Sequence, residues 1–350
     1  MKLNKSQIFN LTVFTIGTVI IISLIKRIGW EQTRAQLNIF GWSFLWLFPI
    51  YFITMVGDTV SWRLLIRKPV SFFKIVMVAN SGTAINALTP SGDGGEFVKG
   101  NLIKDDIGGP ESVSSLLLWN FVYSVTKKIV LVAGPVLYLI FGPFSMDPRP
   151  IGTRLAWGFL IAGIVTSVHL PLLYLLFRFY GVEKSAAFIH KLPILRCLDT
   201  DKVMGFAKQI DEAFRAFASE HLFRLFLSGL LLLVAHLSVC FEIWYVLRIL
   251  GMKIHPVTSI FLFAGSALLQ TIVSFSPVEM GVTEAGSMGL YKMMGFDPVY
   301  GFLQEFIRRL RRLFFNVIGL VYLGWCTFKS VKRTETPETL ESRGEKNDIP

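Results

Sequence analysis

Six basic side chains of this 350-residue chain sit inside otherwise apolar stretches: Lys127, Lys128, Arg308, Arg309, Arg311 and Arg312. Ionisable groups in such surroundings are costly, so they turn toward a partner or a wet cavity. A guanidinium group binds phosphate through two parallel hydrogen bonds. Arg308 and Arg312, four apart, share one face of a helix, and Glu305 lies three positions before Arg308. If that helix begins near Val299, Arg308 lies roughly 14 Å along it, at about 1.5 Å per residue, close to the centre of a bilayer. The pattern has two readings: a site for an anionic lipid head group, or ion pairs with Glu305, Glu284 or Glu96 that only lock helices together. Asn120, Tyr123 and Lys127 also share a face of an apolar stretch. They line a polar path, or Lys127 simply neutralises Asp58. His169 and His236 stand alone in apolar surroundings and read as packing residues.

The elements that must hold these groups are membrane helices. The chain is 53% hydrophobic and 17% charged with a mean hydropathy of +0.55, against about a quarter charged in soluble domains. Apolar stretches cover about 8–25, 42–62, 74–90, 112–141, 152–178, 222–250, 257–276 and 299–328. Their patterning is helical, which predicts an all-α polytopic membrane protein with eight hydrophobic segments rather than a barrel. Lys2 and Lys5 precede the first stretch, and Lys26-Arg27 follows it without a small-residue cleavage site, so it reads as an uncleaved span.

Two of the eight segments are interrupted. One breaks at Pro90, Gly92, Gly94 and Gly95 before Glu96; the other breaks at Pro277 and Gly281 before Glu284. Pro removes a backbone donor and Gly lets the chain reverse. Such backbone survives at membrane depth only inside protein or beside a wet cavity. Both segments therefore read as re-entrant hairpins, leaving about six full transmembrane helices. With both termini cytoplasmic, the cytoplasmic segments hold 21 of the 35 Lys and Arg and the external ones 8, the sign that the positive-inside rule requires. The hairpins then enter from opposite sides, as in transporters built from inverted repeats. Glu96 and Glu284 meet the positive ends of returning helices, or pair with Arg308 in one state and release it in another.

The net charge of +11 fits contact with anionic lipid heads of a cell (inner) membrane better than nucleic acid. Cys197, Cys240 and Cys326 are scattered, without disulfide or zinc spacing. No metal-ligand set, cofactor-binding motif or enzyme motif is present. The stretch 181–221 carries Phe206, Ile210, Ala213, Phe214 and Phe217 at helical spacing. It reads as an amphipathic cytoplasmic helix, either a connector or a regulatory surface. A single membrane domain thus covers 1–328, and the polar segment 329–350 reads as a disordered cytoplasmic tail.

The stretch Asn86-Ala-Leu-Thr-Pro90-Ser-Gly-Asp-Gly-Gly95-Glu96-Phe-Val-Lys99 resembles a motif of the lysylphosphatidylglycerol synthase transmembrane region. Pro277, Gly281-Val282 and Glu284 resemble its second motif. Arg308, with Gly319 eleven residues later, fits its final helix, and Trp62-Arg63 matches the pair closing its second span. The similarity runs from about Phe9 to Phe328. Val278-Glu279-Met280 interrupts the second motif, and Trp119-Asn120 stands where the family usually has Glu-Arg. The resemblance implies movement of an anionic phospholipid or lipid-linked precursor between leaflets. Taken with the residue reading it gives a site drawn from Arg308, Arg312, Lys127, Asn86, Glu96 and Glu284, Lys127-Lys128 standing where the family usually has an Asp, and no aminoacyl-transferase domain is expected. A separate lipid-modifying synthase is then an expected partner. The rival readings are a membrane-embedded lipid or polyprenyl-phosphate transferase using Glu96 and Glu284, and a non-catalytic partner of such a synthase.

Overall fold

Past Phe40 the chain starts as a 3-10 turn, Gly41–Trp46, that runs directly into α1, Leu47–Leu64. The helices α2 (Phe72–Asn86), α3 (Gly94–Ile107), α4 (Gly109–Phe141) and α5 (Pro150–Ser167) follow. The later ones are α6 (Leu222–Ile249), α7 (Pro256–Val273), α8 (Val282–Met293) and α9 (Pro298–Thr334). In this computed structural model the described residues are 40–87, 94–141, 150–168, 221–273 and 282–334, with Asn38, Thr89, Gly205 and 208–212 besides. The predicted first span, His169, the breaks Pro90, Gly92, Pro277 and Gly281, most of 181–221 and the stretch beyond Thr334 lie outside them, as does the Glu284 side chain. Every element among the described residues is helical, as the apolar patterning predicts.

Local chemistry explains several boundaries. Pro150, Pro256 and Pro298 open α5, α7 and α9, where a missing N–H costs nothing. Asp297 caps α9 by accepting the Val299 N–H at 2.9 Å. The described residues after each break form helices of their own, α3 and α8. The final helix also extends past 328 to Thr334.

Among the described residues, three helical stretches are long and apolar enough to cross a membrane: Gly41–Leu64, α4 and α6. Large side chains point outward from several helices, and Phe52, Ile161, Phe226 and Val321 are each more than half exposed. In water so much apolar surface would drive aggregation; in a bilayer it is the face that lipid chains solvate.

Packing between helices depends on small and hydroxyl-bearing residues, because lipid leaves no hydrophobic drive for helix association. α1 and α6 run antiparallel. Leu47 clusters with Val246, the Ser238 hydroxyl donates to the Ile50 carbonyl at 2.8 Å, Gly57 abuts Ala235, and Ser61 and Ser228 share a 2.7 Å hydrogen bond. Two further crossings match one another. α4 crosses α7 at Gly134, where a methyl group would sit 2.9 Å from the Ile260 carbonyl oxygen. α9 crosses α2 at Gly319, where a methyl group would sit 2.5 Å from the Asn80 carbonyl oxygen. The Ser81 hydroxyl reinforces the second crossing by donating to the Gly319 carbonyl at 2.8 Å.

Candidate anion-binding site

The two matched crossings fix which side chains α4 and α9 present inward. Tyr123 and Lys127 lie eleven and seven residues before Gly134; Arg308 and Arg312 lie eleven and seven before Gly319. These four converge on one cavity of about 190 Å³. Thr54 and Asp58 of α1 and His236 and Val239 of α6 form further walls. Phe263, Ser266, Ala267 and Gln270 of α7 complete the lining.

Unsatisfied polar atoms concentrate on this lining. The Nε groups of Arg308 and Arg312, the hydroxyls of Thr54 and Ser266, and Oδ1 of Asp58 are all buried without a hydrogen-bond partner. Buried polar atoms are nearly always paired, so five such groups around one space mark a place for a polar guest. Guanidinium and hydroxyl groups together suit an oxyanion.

The four arginines clustered between 308 and 312 of α9 have separate tasks. Arg308 Nη1 donates to Glu305 Oε1 at 3.0 Å, and Arg312 Nη2 stands 3.8 Å from Glu305 Oε2. Arg309 turns to α8 and donates to the Thr283 hydroxyl at 3.2 Å. Arg311 lies fully inside the protein, 3.1 Å from Glu242 of α6, with its guanidinium 3.8 Å above the Tyr51 ring. Its N–H groups do not point at the Glu242 oxygens, so charge and the ring face hold it there rather than a hydrogen bond. Arg311 is thus a structural lock between α9 and α6. Arg308 and Arg312 carry the free donors that line the cavity.

The first interrupted motif builds a second polar cluster. Asn86 at the end of α2 accepts the Gly95 N–H at 2.6 Å, tying the end of α2 to the start of α3. Glu96 forms an ion pair with Lys99 at 2.7 Å. It also accepts bonds from Asn86 at 3.5 Å and from Asn120 of α4 at 3.3 Å. Lys99 lies 4.7 Å over the Trp119 ring. None of these residues lines the cavity.

The predicted site residues therefore divide. Arg308, Arg312 and Lys127 meet in the cavity, while Asn86 and Glu96 meet in the second polar cluster. Gly94 and Gly95 open α3. Glu96 pairs with Lys99, and the carboxylate on Arg308 is that of Glu305. Lys127 lines the same space as Asp58, yet the two form no ion pair among the described residues. His236 is more than packing: Nε2 lies 3.3 Å from the Thr126 hydroxyl, its ring is 5.0 Å from that of Tyr123, and it faces the cavity. Asp58 enters here as a lining residue of its own, with Thr54, Ser266 and Gln270, which no motif singled out. The eleven-and-seven spacing before Gly134 and Gly319 is a signal in the sequence that the residue-by-residue reading missed and that links α4 to α9.

Apolar helices around a basic cavity define an integral membrane protein whose polar chemistry lies inside its helices. Over residues 8–319 the chain matches the family described as the lysylphosphatidylglycerol synthase TM region, and it belongs to that family. It is accordingly a lipid-related membrane protein, and the matched region is a membrane domain. No curated protein and no solved structure matches the chain.

Proposed function

We propose that this protein moves an anionic phospholipid or lipid-linked precursor between the leaflets of a cell (inner) membrane. The observation that carries the reading is the pair of unpartnered guanidinium Nε groups, on Arg308 and Arg312, facing a cavity that Lys127 also lines. A phosphate entering there gains two fork-shaped donors and one ammonium group, while its acyl or prenyl tails remain in the bilayer. Six full spans and two re-entrant hairpins, α2–α3 and α7–α8, form the frame, with both termini cytoplasmic.

The antiparallel α1–α6 pair and the matched α4–α7 and α9–α2 crossings support an inverted repeat. Inverted repeats place a substrate site at their interface and open it alternately to either side. A separate lipid-modifying synthase makes the cargo. The transferase reading needs Glu96 as an acid or base, and the contacts of that carboxylate with Lys99, Asn86 and Asn120 give it no support.

The test is leaflet exchange of acyl-labelled phosphatidylglycerol in vesicles containing the purified protein. Arg308→Ala abolishes exchange while expression and thermal stability in detergent show the variant folded. Exchange at the wild-type rate by a folded Arg308→Ala protein overturns the reading.

A further inference from the structure

Asp58 is the cavity carboxylate that no cation neutralises. Oδ1 is buried without a hydrogen-bond partner, and Asp58 makes no ion pair among the described residues. The groups that face it come from every neighbouring helix. Tyr123 and Lys127 project from α4, His236 from α6, and Arg308 and Arg312 from α9 across the cavity. Lys99 of α3 reaches it by charge alone, being held by Glu96. On its own helix, Tyr51 lies beneath Arg311. From α2, Asn80 contributes only an amide, which donates to Met55 Sδ.

A carboxylate placed this way is set against the anion the cavity suits. A space of 190 Å³ is about 7 Å across, so a bound phosphate and Asp58 stand near one another. Two like charges at that distance, in a site of effective dielectric near 20, change the proton affinity of the carboxyl roughly ten- to a hundredfold. Binding the anion therefore favours the protonated acid, and by reciprocity a proton on Asp58 strengthens the hold on the anion. His236 is less suited to carry that proton, because its Nε2 already contacts Thr126.

We propose that Asp58 is the proton site of an anion–proton symporter: each anionic lipid head group crosses with one proton on the Asp58 carboxyl. The proton comes from water on the acidic side and leaves to water on the alkaline side, and no covalent bond to the lipid forms or breaks. The inference rests on the transport reading above and adds the energy source, which drives the lipid toward the leaflet facing the higher pH.

The experiment uses the full chain in phosphatidylcholine vesicles with trace acyl-labelled phosphatidylglycerol, a clamped membrane potential and a pH difference of one unit. Wild-type protein accumulates the label in the leaflet facing the alkaline solution by about tenfold, the ratio that one coupled proton supports. Asp58→Glu keeps the accumulation and Asp58→Asn abolishes it. Gradient-driven accumulation that persists in Asp58→Asn, or that is lost only in His236→Gln, overturns the assignment.

Exchange that needs Arg308 but ignores the gradient in wild-type protein defeats the symport alone and leaves transport standing. A second measurement covers a variant that moves no lipid. In weakly buffered detergent, wild-type protein takes up close to one proton for each phosphatidylglycerol bound, and Asp58→Asn takes up none. Absence of uptake by the wild type at every pH overturns the proposal whether or not lipid is moved.

Discussion

Replacing Glu305 by glutamine keeps the shape of the side chain and removes the charge that now occupies Arg308 and Arg312. Glu305 lies 3.0 Å from Arg308 and 3.8 Å from Arg312, with side-chain exposures of 4%, 11% and 41% respectively. The contact with Arg308 is an enclosed charge-assisted hydrogen bond, about 1.5–3 kcal/mol. The contact with Arg312 is longer and more open, so it adds at most about 1 kcal/mol. An entering phosphate needs the same donors and must displace this carboxylate. Removing the competitor returns most of that energy to the ligand, an increase in affinity for phosphatidylglycerol of roughly ten- to a hundredfold. The lipid-free protein suffers the converse, because an unpaired buried arginine costs about 3–5 kcal/mol. Glu305→Gln should therefore melt at a lower temperature in lipid-free detergent and recover more than wild type when phosphatidylglycerol is added. Phosphatidylcholine, with no net charge, should restore little. A thermal-shift titration with both lipids reads all three quantities. Unchanged or weaker phosphatidylglycerol binding by Glu305→Gln would refute the reasoning, for it would mean that Glu305 orients Arg308 for the ligand instead of competing with it.

Two further substitutions probe the frame. A methyl group at Gly319 would stand 2.5 Å from the Asn80 carbonyl oxygen and 2.9 Å from the Ser81 nitrogen, backbone atoms that cannot rotate away. Gly319→Ala should cost about 1–3 kcal/mol, whereas Gly289→Ala, with nothing within 4 Å, should gain up to about 1 kcal/mol from helix propensity; equal midpoints in denaturant titrations of mixed micelles would disprove the close crossing. Asn86→Ala removes the acceptor of the Gly95 N–H, a loss of about 1–2 kcal/mol, and faster hydrogen exchange confined to 72–107 is the expected result. Protection unchanged across that stretch would show that Asn86 does not tie α2 to α3.

Helical class was legible because it is written locally: a hydropathic run shows within a single window. The Glu305–Arg308 contact was equally within reach, being three residues apart on one helix. Thr54, Ser266 and Gln270 were not, since each is a lone polar residue in an apolar helix and resembles a packing position. Only the crossings of α1, α6 and α7 bring them onto one cavity. Lys127 and Asp58 show the converse limit. The chain order allowed them to pair, but the helices place them on the same cavity without an ion pair.

The matched crossings supply a frame in which α4 and α9 are interchangeable, but the residues they carry are not. At the position eleven before the crossing glycine, α4 has Tyr123 and α9 has Arg308; at seven before, α4 has Lys127 and α9 has Arg312. One half thus offers a phenol and a single ammonium, the other two guanidinium forks. A phosphate between them binds unequally, anchored in bidentate fashion to α9 and held on the α4 side by a point charge. In an alternating cycle the anchor travels with α9, so the weaker contact to Lys127 is the one made and broken as α4 and α7 shift. Lys127→Arg would make both grips bidentate. That substitution should tighten phosphatidylglycerol binding yet slow its exchange, because an anion held equally by both halves resists their separation. Binding and exchange rising together in Lys127→Arg, measured on the same preparation, would show that the asymmetry has no part in release.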